Sequence, residues 1–196
     1  MLAGLRSLKI QEGEVYYMPD FIDRTEADTL FEELIDLIPW RAEKITVFGK
    51  TYDQPRLTAW YGEEGKSYSY SGITMEPIPF PQVLMEMKSD LELISGKQFN
   101  SCLANLYRDG QDSNGWHSDD EKELGSNPVI ASISLGESRF FHLRKKTDHS
   151  CKEKLLLNSG SLLLMMGATQ HHWQHQVPKT KRKIGSRINL TFRYIK

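Results

Sequence analysis

After Gly96 the apolar pattern of this chain changes period, and that change constrains the fold more than any other feature. Downstream, the segments Phe99–Tyr107, Val129–Leu135, Arg139–Arg144, Lys154–Leu157, Ser161–Met166, Trp173–Val177 and Ile188–Ile195 read as strands separated by Gly, Asn and Pro turns. Many short strands at such spacing predict an antiparallel sandwich, barrel or jelly roll. Upstream the period is helical. Tyr16 to Phe21 lead into a helix over Arg24–Ile38, opened by a capping box of Thr25 with Asp28. Ala27, Leu30, Phe31, Leu34, Leu37 and Ile38 form its apolar stripe, and Pro39-Trp40 ends it. A turn-rich stretch runs from Val47-Phe48-Gly49 to Ser71-Gly72. Pro81 then suits the first position of a second helix, with Val83, Leu84, Met87 and Leu91 on its stripe and Gly96 as its C-terminal cap. Two helices followed by a β run predict an α+β fold, a β core buttressed by N-terminal helices.

The 196 residues, 39% of them hydrophobic, suffice for one sizeable core, so a single domain over 1–196 is expected. It divides near residue 98 into the helical N-terminal part and the β core. Lys and Arg number 25 against 26 Asp and Glu. A net charge of −1 leaves no bulk basic field, so any nucleic-acid binding must rest on local patches. Balanced charge and ordinary apolar content exclude a wholly disordered chain. No apolar run approaches the roughly 20 residues that span a bilayer, and the opening MLAGLRSLKI is too short in apolar residues for a signal peptide. Cys102 and Cys151 do not make a disulfide framework. The expectation is an intracellular protein with free thiols serving as small core residues.

The first chemical motif is Gly115-Trp116-His117-Ser118-Asp119. Residues two apart on an extended chain point to the same side, so His117 and Asp119 could grip one ion. A lone His-x-Asp is weak, because a hydrogen-bonded pair explains it equally well. His171-His172-Trp173-Gln174-His175, on another predicted strand, offers a third ligand. Two imidazoles and a carboxylate form the facial triad of non-haem Fe(II) oxygenases. Zn(II) fits less well, since no Cys cluster accompanies them. Spacing alone leaves the choice among the three late histidines open, and gives His142 and His149 no role.

The second motif is the strict alternation of Arg187-Ile188-Asn189-Leu190-Thr191-Phe192-Arg193-Tyr194. Ile188, Leu190, Phe192 and Tyr194 make an ordinary core face. Arg187, Asn189, Thr191 and Arg193 make a polar face, which is either a solvated exterior or a rigid donor row for a dicarboxylate. Asn105 and Tyr107 repeat the device, two residues apart with hydrogen-bonding tips.

Taken in order, Asn105-Leu106-Tyr107-Arg108-Asp109-Gly110, Trp116-His117-Ser118-Asp119-Asp120-Glu121, Asn127 to Gly136, His172-Trp173-Gln174-His175 and Arg187 to Arg193 closely resemble the AlkB family of Fe(II)- and 2-oxoglutarate-dependent nucleic-acid dealkylases. The resemblance runs from about Tyr16 to the end. It implies a double-stranded β-helix, or jelly roll, with His117, Asp119 and His175 as the metal ligands and catalytic residues. It also implies 2-oxoglutarate contacts at Asn105, Tyr107, Arg187, Thr191 and Arg193, with Asn189 in support. Arg193 would hold the distal carboxylate.

Val47-Phe48-Gly49-Lys50, Pro55-Arg56 and Tyr68-Ser69-Tyr70-Ser71-Gly72 resemble the branch that repairs double-stranded DNA. By that resemblance Phe48 would enter the duplex where the damaged base leaves, with Val47 and Gly49 shaping its turn. Tyr70 and His117 would sandwich the flipped base, with Tyr68 and Glu121 near its polar edge and Arg56 and Ser71 also in the substrate set. Without the resemblance, Val47-Phe48-Gly49 reads as an apolar turn in the core. Arg144, Lys145 and Lys146, and Lys179, Lys181, Arg182 and Lys183, are candidate phosphate contacts. The implied activity is oxidative removal of alkyl groups from bases such as N1-methyladenine and N3-methylcytosine, in duplex and also single-stranded DNA, by a monomer that is cytoplasmic in a prokaryote and nuclear in a eukaryote. The rival readings are a 2-oxoglutarate oxygenase acting on RNA, protein or lipid, and a non-catalytic damage-binding module.

Overall fold

The structure is a computed structural model that describes residues 4–47, 50–63, 68–70 and 73–196. Its elements run β1 (Arg6–Leu8), β2 (Glu14–Met18), α1 (Arg24–Leu37), β3 (Lys44–Val47), β4 (Lys50–Asp53), β5 (Leu57–Gly62), β6 (Tyr68–Tyr70), β7 (Ile73–Met75) and α2 (Gln82–Ser95). There follow β8 (Ser101–Tyr107), β9 (Asn114–His117), β10 (Ile130–Gly136), β11 (Arg139–Lys145), β12 (Lys152–Leu157), β13 (Ser161–Met166), α3 (Thr169–His172), β14 (Trp173–Val177) and β15 (Arg187–Arg193).

Two antiparallel sheets form the sandwich. The major sheet has the order β1-β2-β13-β10-β15-β8-β5, and the minor sheet β12-β11-β14-β9. The pairs β3–β4 and β6–β7 stand apart as two-stranded hairpins. The major sheet is covered on both faces. Ala27 and Leu34 of α1, with Leu84 and Leu91 of α2, pack with Ala104, Ile133, Leu135, Ile188, Leu190 and Phe192 on its outer side. On its inner side Leu103, Ile130, Leu163 and Met165 meet Phe141, Leu143, Leu157, Trp173 and Val177 of the minor sheet. Every residue of β8 and β15 is therefore buried. The minor sheet is covered on one face only and keeps the buried–exposed alternation of a half-solvated strand.

Several expectations need correction. The Thr25–Asp28 capping box is displaced: Asp23 is the N-cap and accepts from the Glu26 backbone N–H at 3.0 Å, while Asp28 pairs with Arg24. Pro81 caps α2 from outside its first turn, whereas Gly96 does close the helix, at φ 63°. Leu37 is 44% exposed and lies off the buried stripe of α1. Tyr16 and Tyr17 belong to β2 rather than to a lead-in to the helix. The stretch read as turns contains β5, which completes one edge of the major sheet by pairing with β8. Strands β1, β2 and β5 belong to the same sheet as β8, β10, β13 and β15, so a boundary near residue 98 does not separate the sheets. Both cysteines are free; Cys102 is in the core and Cys151 half-buried. Among the described residues no helix is long and apolar enough to cross a membrane.

Candidate active site

The site lies between the sheets, where β9 and β14 pair. His117 and His175 are directly opposed across that pair, so both imidazoles enter the same interior space, their ring centroids 4.2 Å apart. Asp119 follows just past the end of β9. Its backbone N–H donates to the Gln170 side chain at 3.0 Å, which fixes the loop against α3. The ligand atoms of His117, Asp119 and His175 all lie within 4.8 Å of one another. His171 and His172 are instead on α3, not on a strand, and do not join this group.

The ligand set is electrostatically prepared for a cation. His117 Nδ1 lies 2.7 Å from the Gly115 carbonyl, which accepts its proton, while Nε2 accepts from the Asn114 side-chain amide at 3.2 Å, a bond that a cation at Nε2 would replace. Burial, reinforced by the neighbouring His117, pushes the His175 pKa down to about 3, and burial lowers that of His117 as well. Burial alone would raise the Asp119 carboxyl, but Arg193, His175 and His117 outweigh it and hold the group below the usual carboxylate range. Two neutral imidazoles beside one carboxylate match the N,N,O donor set of mononuclear Fe(II) sites.

The polar face of β15 points into this space rather than to solvent. Arg187, Asn189, Thr191 and Arg193 line the cavity together with Asn105, Tyr107 and the three candidate ligands. Asn189 donates to Ser132 Oγ at 2.7 Å and accepts from Thr191 at 3.0 Å, a pair braced on β10. Arg193 lies at the metal end, with Nη2 3.0 Å from Asp119 Oδ2. Arg193 therefore pairs with a candidate ligand, where the resemblance implies a place at the distal carboxylate. Arg193 lies six residue steps along the strand from Arg187, about 20 Å of backbone, so the two stand at opposite ends of the cavity. Arg187 is 1% exposed, yet only Nη2 has a hydrogen-bond partner, Ser134 Oγ at 2.8 Å; Nε and Nη1 have none. Its guanidinium lies 5.2 Å from the centre of the Tyr107 ring. A buried, under-satisfied guanidinium facing a cavity is chemically suited to a carboxylate.

The substrate set divides. Arg56 is buried in the cavity wall and donates to Asn105 Oδ1 at 2.7 Å, so it fixes the orientation of Asn105. Val47 ends β3 opposite Lys50, and Tyr68 and Tyr70 lie on β6. Phe48, Gly49 and Ser71 lie outside the described residues. Glu121 is half-buried at the start of the turn Lys122–Leu124 and is not part of the cavity lining. Among the candidate phosphate contacts, Lys145 pairs with Glu12 and Lys146 with Asp120, while Arg144 lies 4.2 Å over the Trp116 ring. Sequence reasoning missed Gln170 and Arg139. Arg139 lies 5.6 Å from the Tyr107 ring centre and donates to the carbonyls of Asp109, Asp112 and Pro178. Neither residue carries a local signal, because each acts through partners distant in the chain.

Comparison with known proteins agrees with this geometry. The family model of the 2OG-Fe(II) oxygenase superfamily matches residues 14–193. The bovine alpha-ketoglutarate-dependent dioxygenase alkB homolog 3 is 49% identical over 192 residues, covering 93% of this chain and 66% of that protein. The mouse DNA oxidative demethylase ALKBH2 is 39% identical over 182 residues, covering 88% of this chain and 76% of that one. The chain thus spans 64–66% of the length of the alkB homolog 3 relatives. The solved structure of OsALKBH1 superposes with a TM-score of 0.69 over 96% of this chain and all of its own, at 19% identity, a likeness of fold. A model match across nearly the whole chain, close relatives named for alkB, and a jelly roll enclosing two histidines and an aspartate place this chain in the AlkB family of the 2OG-Fe(II) oxygenase superfamily.

Proposed function

We propose that this chain removes alkyl groups oxidatively from ring nitrogens of DNA bases, N1-methyladenine and N3-methylcytosine being the model lesions. The observation that carries the oxygenase part is the joining, in one cavity, of the His117–Asp119–His175 group to the under-satisfied Arg187. The choice of DNA rests on the ALKBH2 relatives, which are named DNA oxidative demethylases. Bound Fe(II) with 2-oxoglutarate and O2 supplies the oxidation of the N-alkyl carbon, releasing succinate and CO2. The hydroxylated carbon then leaves its nitrogen as an aldehyde, formaldehyde in the case of methyl.

The protein's part is placement and containment. His117, Asp119 and His175 would hold the metal, and Arg193 orients Asp119 by binding its second oxygen. Arg187 and Tyr107 would take the far carboxylate, with Asn105, Asn189 and Thr191 as a braced polar wall. Leu103, Phe141, Leu157, Met165 and Val177 line the remainder and limit water. The β3–β4 and β6–β7 hairpins, with Val47, Phe48, Gly49, Tyr68, Tyr70 and Ser71, are read as the nucleotide-recognition segment, Glu121 beside it. The free thiols suit an intracellular enzyme.

Turnover on DNA carrying N1-methyladenine, followed by formaldehyde release, should require both Fe(II) and 2-oxoglutarate. No turnover on duplex or single strand with both supplied would overturn the reading. Strandedness is tested by Phe48→Ala. Base–aromatic stacking is worth about 1–3 kcal/mol, so a residue that fills the vacancy left by a flipped base should slow duplex repair roughly 5- to 150-fold and spare the single strand. Equal losses on both substrates with a lower melting temperature would return Phe48 to the core.

A further inference from the structure

The outer face of the minor sheet is not used by the chemistry above, and its composition is unusual for a solvated face. Alternation along β11, β12 and β14 turns Phe141, Leu143, Leu157, His175 and Val177 inward. It leaves Phe140, His142, Lys152, Lys154 and Leu156 outward, with Phe140 39% and Leu156 40% exposed. Phe140, His142 and Lys154 continue into a groove beneath the segment 178–184, where Lys179 and Arg182 join them.

Three observations point to a ligand. First, among the described residues Lys152, Lys154, Lys179 and Arg182 have no carboxylate within ion-pair distance, in contrast to Lys145 and Lys146. Glu137, the one carboxylate among the described residues lining the groove, is occupied with the backbone N–H groups of Ser138 and Gly185 at 3.2 and 3.3 Å. Second, Lys154 Nζ lies 3.7 Å over the Phe140 ring, which puts an exposed aromatic face beside a cation that is free to leave it. Third, His142 Nε2 is buried and has no hydrogen-bond partner. The neighbouring lysines add to burial in lowering the His142 pKa, a mark of local positive potential on a chain whose net charge is −1.

We propose that this outer face and its groove form a second nucleic-acid contact surface, which takes an unpaired stretch of strand outside the catalytic cavity. A base stacks on Phe140, displacing Lys154 onto a phosphate, and Lys152, Lys179 and Arg182 follow the backbone. An acidic peptide would satisfy the cations but brings a flat ring to Phe140 only where its sequence supplies one, whereas every nucleotide of an unpaired strand carries both a phosphate and a free ring; a duplex keeps its rings inside the stack. The surface rests on the reading that the substrate is nucleic acid.

The test measures binding of unmodified, fluorescently labelled oligothymidylates of about 5 and about 20 nucleotides, the shorter too small to reach beyond the cavity mouth. The wild-type chain should bind the longer strand about tenfold more tightly. The exposed pair Lys152→Glu with Lys154→Glu, and separately Phe140→Ala, should remove most of that advantage, while Lys152→Arg with Lys154→Arg retains it. Turnover of an alkylated short strand should be unchanged in all three. Variants that bind the longer strand as the wild type does would overturn the surface. If turnover is absent but length-dependent, variant-sensitive binding persists, the dealkylation reading falls and the surface stands.

Discussion

Arg187 carries a charge deep in the sandwich with two of its three nitrogens unpartnered, a costly arrangement unless a ligand completes it. Burial pushes its pKa down to about 10, still well above neutrality, so the charge persists. Arg187→Gln keeps much of the side chain's length but loses the charged fork. A hydrogen bond to a charged group is worth about 1.5–3 kcal/mol, so the 2-oxoglutarate concentration needed for half-maximal rate should rise roughly 10- to 150-fold. Metal binding, followed by Co(II) absorption, should survive. An unchanged cosubstrate requirement would remove Arg187 from the distal end. The histidines make a second prediction. Unfolded His175 binds a proton below about 6.5, whereas the folded residue stays neutral to about 3. The unfolded state therefore holds more protons in that window, and the metal-free protein loses stability as pH falls, by about 1.4 kcal/mol per unit for each such group. His117 contributes with the same sign, and Asp119 adds to it below the ordinary aspartate value of 3.8. The slope of melting temperature between pH 6.5 and 3 should flatten in His175→Asn. An unchanged slope would mean that His175 titrates normally.

At the scale of the element, what the sequence made legible depended on how many faces of a strand are covered. The alternating strands β11 and β14 of the minor sheet were readable as strands with a definite inner face. For β15 the alternation identified two faces but not their directions, because a polar face lining a cavity and one facing water have the same pattern. Strand β5, buried at nearly every position on both faces and set among Pro, Gly and charged residues, shows no alternating period and lies within a stretch that reads as turns. The cap of α1 was misplaced because Asp23 and Thr25 are both good cap residues within one turn of each other. The glycine turns carry a different constraint. Gly160 has φ +78°, and a Cβ there would overlap the Ile22 carbonyl oxygen that lies before α1. Its own carbonyl accepts from the Ile22 N–H at 2.9 Å, so the approach cannot relax without breaking that tie. Gly96 has φ +63° but open space around it. Gly96→Ala should cost about 1 kcal/mol from left-handed backbone alone, and Gly160→Ala about 2 kcal/mol or more, lowering the melting temperature by roughly 4–8 °C. Equal shifts for the two would show that the Ile22 contact yields freely.

At the scale of the molecule, the site depends on a sheet assembled from both halves of the chain. The ligands, the arginine strand and Tyr107 all fall after residue 98, which is why a catalytic β core was legible there. The elements that keep that core folded do not. Strand β2 pairs with β13 along five residues, and β5 pairs with β8 along six. Without them the major sheet has two bare edges, open to pairing with other chains. Helices α1 and α2 bury its outer face, which carries Ala104, Leu106, Ile133, Leu135, Ile188, Leu190 and Phe192. Removing residues 1–98 would expose that continuous apolar face to water, at about 25 cal/mol for each Å² uncovered. A fragment of residues 99–196 should therefore not fold alone: it should aggregate or bind a hydrophobic dye, unfold without a cooperative transition, and fail to bind Co(II). Supplying residues 1–98 as a separate chain should restore metal binding in part, since the strand edges and the helix-binding face are what the fragment lacks. A soluble 99–196 fragment with a sharp thermal transition and a bound metal would show that the minor sheet and the β8–β15–β10–β13 strands hold the site without their N-terminal cover.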